Sequence, residues 1–204
     1  MIKRRRPKQH SRIIKTSKGL KKILVNKGVK YSKKKRLKRG PTVTKRERKV
    51  FNHLSNPKHF STEYGGVIDF DKKGRIESFA VIPGRKWDVD IPDDYEVKFH
   101  THPSNYIDPP SPEDIIALLS DKKQQAEVVF RDGTIFIVNR TPKTFRLEKL
   151  GEKAYTKILT KAFNETRGKD WDNRYKDRLE QLGFQVIIDK NKNKAINIPV
   201  RAKD

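Results

Sequence analysis

The sequence predicts a single α/β (α+β) domain carrying a basic, disordered N-terminal arm. Three observations lead there. Charge is segregated: residues 1–50 hold 22 Lys and Arg against one acid, Glu47, whereas the other 154 residues hold 27 against 24. The net +24 of the chain therefore belongs almost wholly to the arm. Apolar residues are 33% and charged residues 36% of the sequence, too polar a mixture for all of it to pack, so part stays outside any core. Beyond Pro41, strand and helix patterns alternate in one block without an internal repeat. The expected division is an arm over 1–41, a domain over 42–189 and a polar, mobile tail over 190–204.

The elements follow in order. TVTKRERKVFNHL reads as a helix capped by Thr42 or Thr44, with Val50, Phe51 and Leu54 toward a core. EYGGVIDFD, the turn DKKG and RIESFAVI make a hairpin; AEVVF, RDG and TIFIVN make another. YEVKFHT alternates as a strand, SPEDIIALLS is a helix opening at Ser111, and TFRLEKL is read as a further strand. Two helices follow, over Glu152–Asn164 and Trp171–Leu182; Gly183 ends the second and FQVIID closes as a strand. The apolar face of the first (Tyr155, Ile158, Leu159, Phe163) is expected to pack on the sheet.

Composition narrows the function classes. The absence of cysteine excludes disulfides, thiolate ligands and a cysteine nucleophile, so a metal site must use His and carboxylates. No apolar run approaches the roughly 20 residues of a membrane span, and the N-terminus has no signal-peptide core. A cytoplasmic or otherwise intracellular protein is expected. The arm has one aromatic, Tyr31, before Phe51. That disfavours base stacking and favours sequence-independent phosphate contact. Residues 1–50 are thus a candidate for nucleic-acid or ribonucleoprotein association, the plainer readings being a targeting signal or a solubilising tail.

The chemistry concentrates in HTHPSNYIDPPSPED, from His100 to Asp114. On a strand, residues i and i+2 share a face, so His100 and His102 project together and could each reach one zinc. Pro103 ends the strand. Ser111 is a good N-cap, Pro112 suits the first helical position and Asp114 falls at the third. A carboxylate there could be a third ligand, leaving a position for water as catalytic zinc sites do. Glu63, beside Gly65 and Gly66, is the candidate base; the glycines would let backbone or substrate approach closely. Taken singly, each piece has a plainer reading: SPED as a mere helix start, H-x-H as surface or core, Glu63 as a solvated acid. The other histidines, His10, His53 and His59, are read as solvated.

Together these residues resemble the JAMM (MPN+, JAB domain) zinc metalloprotease signature: Glu63 with Gly66, then His100-Thr101-His102-Pro103, then Ser111-Pro112-Glu113-Asp114. The resemblance covers about residues 55–150. It implies a curved mixed sheet flanked by helices in a cytidine-deaminase-like layout. It implies one zinc on His100, His102 and Asp114, Glu63 as general acid/base, and Ser111 as donor to the oxyanion. It also implies hydrolysis of isopeptide or peptide bonds next to ubiquitin or ubiquitin-like proteins. The sequence departs from the family in one place: eight residues, not seven, separate His102 from Ser111, a shift by which Glu113 would compete with Asp114. Two other readings stand beside it. One is a nucleic-acid-binding protein using an MPN-like scaffold. The other is a RadC-like, DNA-associated protein, whose H-N-H-P and P-S-x-x-D motifs are similar although Thr101 replaces the Asn.

Overall fold

The structure, a computed structural model, describes residues 10–16, 19–25, 42–54, 56, 62–71, 76–86, 89–93, 95–102, 108–131, 133–191 and 195–198. In chain order the elements are β1 (His10–Thr16), β2 (Gly19–Val25), β3 (Thr42–Val43), α1 (Lys45–Leu54), β4 (Tyr64–Phe70), β5 (Ile76–Pro83), β6 (Val97–His102) and α2 (Pro112–Ser120). They continue with β7 (Ala126–Arg131), β8 (Thr134–Asn139), α3 (Phe145–Glu148), α4 (Glu152–Thr166), α5 (Trp171–Gln181), β9 (Gln185–Asp189) and β10 (Ile196–Asn197). Strands β4 to β9 form one six-stranded sheet in the order β5-β4-β6-β7-β8-β9. Only β6 and β7 run parallel; every other neighbouring pair is antiparallel. The two hairpins read from the sequence are β4–β5 and β7–β8, and α2 makes the crossover that a parallel pair requires.

Period-2 alternation puts apolar side chains on both faces of this sheet. On one face Ile68, Val97, Phe99, Val128, Phe130, Ile135 and Ile137 pack under α1 and the β3–β10 ribbon. Phe51 of α1 is fully buried there, stacked on Phe130 at 3.9 Å between centroids and meeting Phe99 edge-on at 4.8 Å. On the other face Val138 and Val186 pack under α2, α4 and α5, through Ile115, Leu118, Leu159, Phe163, Tyr175 and Leu179. The expected apolar face of α4 is thus covered by sheet and helices. The result is a mixed sheet flanked by helices on both faces.

Local chemistry sets the helix boundaries. Thr44, not Thr42, caps α1: Glu47 accepts the Thr44 N–H at 2.8 Å and its hydroxyl, while Thr44 Oγ1 accepts the Glu47 N–H at 3.5 Å. Two orphan donors are satisfied by this reciprocal box. Gly183, at φ +102°, closes α5: its N–H donates to Glu180 O and that of Phe184 to Leu179 O. Only glycine takes that backbone conformation without penalty.

Four expectations change. TFRLEKL is not a strand; Phe145–Glu148 is a short helix. Bonds from Leu147 and Glu148 N–H back to Thr144 O close the turn, and the Arg140–Glu148 ion pair at 2.8 Å pins it. The F-R-L-E alternation is too short to overrule such local closure, and Phe145 is left exposed. The tail beyond Lys190 is not uniformly polar and loose. Ile196 pairs with Val43, and Ile196 and Ile198 are buried with Phe51. The arm expected to be disordered carries, in its described residues, the antiparallel β1–β2 ribbon. Two strands without further cover are at best marginally stable in water. Residues 1–9, 17–18 and 26–41 lie outside the described residues. Finally, the close approach of backbone or substrate expected at Gly65 and Gly66 narrows to the protein's own atoms: backbone does come close at Gly66, and side chains pack on both. A Cβ on Gly65 would stand 2.7 Å from Val89 Cγ1, and one on Gly66 would stand 1.9 Å from Ala80 O and 2.7 Å from Phe99 Cζ.

Gly66→Ala is therefore expected to be severely destabilising, by about 3–5 kcal/mol in denaturant unfolding, because both obstructing atoms belong to the sheet itself. A loss within experimental error would mean that β4 and β5 can separate freely at this point.

Candidate metal centre

The centre is assembled by the β6–α2–β7 crossover. Along β6, Val97 and Phe99 face α1, so Lys98, His100 and His102 face α2. All six residues of β6 are buried, which keeps both imidazoles out of bulk water. Helix α2 then begins beside them, with Ser111 as N-cap, Pro112 at the first position and Asp114 at the third. Ser111 Oγ accepts the Asp114 N–H at 3.2 Å, and Asp114 Oδ2 accepts the Ser111 N–H at 2.6 Å. This reciprocal box turns the Asp114 carboxylate back toward β6.

The ligand-type atoms converge. His100 Nε2 lies 3.0 Å from His102 Nε2 and 3.4 Å from Asp114 Oδ1; His102 Nε2 lies 4.0 Å from Asp114 Oδ2. His100, His102 and Asp114 form the group among the described residues that could hold a metal ion. Glu113, which the longer loop brings into competition with Asp114, is exposed; helix geometry turns Asp114, not Glu113, toward the histidines. Most of that loop, 103–107, lies outside the described residues.

The rear of each ring is also tied. His100 Nδ1 is 2.9 Å from Glu127 Oε1 on β7, and His102 Nδ1 is 3.1 Å from the Asp108 carbonyl oxygen. A carbonyl only accepts, so His102 carries its hydrogen on Nδ1 and turns the Nε2 lone pair to the front. Glu127 in turn accepts from Gln124 Nε2, which also donates to Ala126 O at 3.2 Å. Both Glu127 and Gln124 are buried. Sequence reading missed Glu127, Gln124 and the Asp108 carbonyl. The available signal was Glu127 itself, an acid amid Ala126, Val128, Val129 and Phe130 in a strand packed on both faces.

Proton affinities follow the geometry. Burial alone would lower His100, but the Asp114 carboxylate, and Glu127 behind it, outweigh burial and hold the imidazole well above its ordinary value. Burial and the neighbouring His100 push His102 down to about 4. Burial would raise the Asp114 carboxyl, yet His100, His102 and the Ser111 N–H hold it well below the usual carboxylate range. Burial raises Glu127.

The other expected residues are placed as follows. Ser111 is half-buried as the N-cap of α2 and is bonded to Asp114 in both directions. Glu63 immediately precedes β4, its main chain bonded to residues 84 and 85, and it is buried. Gly65 pairs with His100 in the antiparallel β4–β6 register. Carrying that register two residues further sets Glu63 opposite His102, on the same face. Thr101 uses its Oγ1 to accept the Tyr64 N–H at 3.0 Å, locking β4 to β6 beside the histidines. Of the remaining histidines, His53 is exposed as expected; the side chain of His10 and all of His59 lie outside the described residues. No described helix is long and apolar enough to cross a membrane. Comparison with known proteins returned nothing: no family model, no curated protein and no solved structure matches the chain.

The histidine shifts predict a stability optimum for the metal-free protein. His102, lowered to about 4, binds its proton less readily when folded, so stability falls as pH drops from about 6.5 toward 4. His100, raised when folded, adds stability that is complete below about 6.5 and lost as pH climbs through its elevated value. Thermal unfolding of metal-free protein across this range should peak near the ordinary histidine pKa, and His100→Gln should abolish the alkaline decline.

Proposed function

We propose that the protein is a zinc-dependent peptidase or isopeptidase of the JAMM type, acting on bonds next to ubiquitin or ubiquitin-like proteins. The observation that carries this reading is the convergence of two Nε2 atoms and the Asp114 carboxylate, with both Nδ1 atoms tied from behind. Ligand atoms around one tetrahedral zinc at about 2.0–2.1 Å stand about 3.3 Å from one another. His100 Nε2 stands 3.0 Å from His102 Nε2 and 3.4 Å from Asp114 Oδ1, close to that spacing, and one ligand atom from each of the three residues lies within 4.8 Å of the others. Two carboxylates, half-buried Asp114 and buried Glu127, also suit a dication held by neutral imidazoles.

In this reading His100, His102 and Asp114 hold the ion. Bound zinc would polarise a scissile carbonyl and acidify a water. Glu63, across from His102, takes the proton of the attacking water and returns it to the leaving amine. Ser111 spends an oxygen lone pair on its cap but keeps its hydroxyl hydrogen, which donates to the carbonyl oxygen as charge develops there. The freed amine would be a lysine side chain or a chain terminus. The basic arm, residues 1–50, would bring the domain to nucleic acid or ribonucleoprotein through phosphate contacts.

Three measurements test this. Zinc per chain should approach one in the parent and fall to little in Asp114→Ala; no zinc in the parent at neutral pH removes the reading. With zinc bound, ubiquitin-like conjugates, peptidoglycan fragments and unmodified peptides are offered in parallel. Glu63→Gln should keep its zinc yet lose about 10²–10⁴ in kcat; unchanged turnover would exclude Glu63 as the base. Binding of the full chain to duplex DNA or RNA should weaken steeply with salt, each phosphate neutralised on DNA adding about 0.9 to the slope of log K against log salt. A flat salt response would dismiss the arm as a polyanion contact.

A further inference from the structure

We infer that Glu127, held in place by Gln124, is a positioning residue that presents His100 to the metal through Nε2. The inference rests on the metal-centre reading and deepens it, since neither residue belongs to the motif that suggested the site.

Glu127 is a buried acid on a strand whose other residues from Ala126 to Phe130 are apolar. An ionisable group in such surroundings is retained at a cost and needs a partner. Its partner is His100, at 2.9 Å. The reach is possible because β6 and β7 run parallel. His100 pairs with Val129 and Lys98 with Glu127, so Glu127 lies diagonally behind His100 on the same face. An antiparallel neighbour would not place a crossover helix in front of the histidines and a carboxylate behind them in so few residues.

The carboxylate is itself oriented. Gln124 Nε2 donates to Glu127 Oε2, while Oε1 is left for His100 Nδ1. Gln124 is fixed by its bond to Ala126 O and by its N–H to Asp121 O at 3.2 Å. The turn holding Gln124 is anchored in turn: Lys98 Nζ meets Asp121 at 3.0 Å, and Arg140 donates to Asp121 O at 2.9 Å. A chain therefore runs from the end of α2 through Gln124 and Glu127 to the ring. A carboxylate on Nδ1 does three things to a ligating imidazole: it fixes the tautomer, holds the ring plane and increases the basicity of Nε2. His102 has only a neutral carbonyl in the same place. The two histidines are thereby made unequal, His100 being the stronger donor.

The test uses the full chain with Glu127→Gln, which keeps an acceptor of nearly the same shape, and Glu127→Ala, which removes it. Zinc affinity is measured by competition with a chromophoric chelator. The tautomer of His100 is read by long-range ¹H–¹⁵N correlation in metal-free protein, at a pH above the transition at which the same spectra show the ring to lose its second proton. Glu127→Ala should lose about 10–100-fold in zinc affinity and move His100 from the Nδ1–H tautomer to a mixture. Glu127→Gln should recover the tautomer and part of the affinity. Affinities within twofold of the parent, together with an unchanged tautomer, would overturn the inference. A loss of affinity with the tautomer intact would overturn it too, reducing Glu127 to a general electrostatic or structural role. If the parent binds no zinc, the metal reading fails, and the tautomer measurement alone still decides whether Glu127 sets the orientation of His100.

Discussion

The parallel pairing of β6 with β7 is the contact on which the centre depends. A parallel pair cannot be joined by a tight turn, so the chain must leave the sheet after His102, cross its face and return at Ala126. The crossing segment is α2, and its first turn comes down over the end of β6. One topological requirement thus places two imidazoles, a carboxylate in front and a carboxylate behind within a stretch of 28 residues, from His100 to Glu127. The antiparallel neighbours supply the rest. β4 brings Glu63 to the level of His102, and β8 and β9 widen the sheet that α4 and α5 cover.

Much of this was legible because the signals were local. Ser111, Pro112 and Asp114 announce a capped helix from three positions, and the structure shows that helix with both halves of the box formed. H-x-H on an alternating strand fixes a shared face whatever the strand pairs with. The hairpins carried their own turn residues. What was hidden is what depends on partners distant in sequence. Glu127 acquires meaning only when β7 lies beside β6. Ile196 and Ile198 looked like isolated apolar residues in a polar tail until β3 gave Ile196 a strand to pair with and the cluster around Phe51 gave both a place in the core. Phe145–Glu148 failed for the opposite reason: its alternation suggested a sheet, but hydrogen bonds three and four residues apart were nearer to hand.

The two faces of the sheet divide the work. Under α1 the packing is aromatic and aliphatic, with Arg48 as its one fully buried ion among the described residues, paired to Asp189 of β9 at 2.9 Å. That pair fastens α1 to the far edge strand. Under α2 the same sheet tolerates Lys98, His100, His102 and Glu127 in a row, each matched by Asp121, Asp114 or a neighbour of its own. Buried charges rarely add stability over apolar replacements. Here they are concentrated on a single face, next to a helix end, while the opposite face carries the apolar packing beneath it.

Asp114 has two occupations. One of its oxygens closes the first turn of α2 on the Ser111 N–H; the other points at His100. The same carboxylate therefore acts as a latch between the winding of a helix and the gathering of the two histidines. Whatever tightens the first turn of α2 keeps the three groups together, and whatever unwinds it withdraws the carboxylate from the imidazoles.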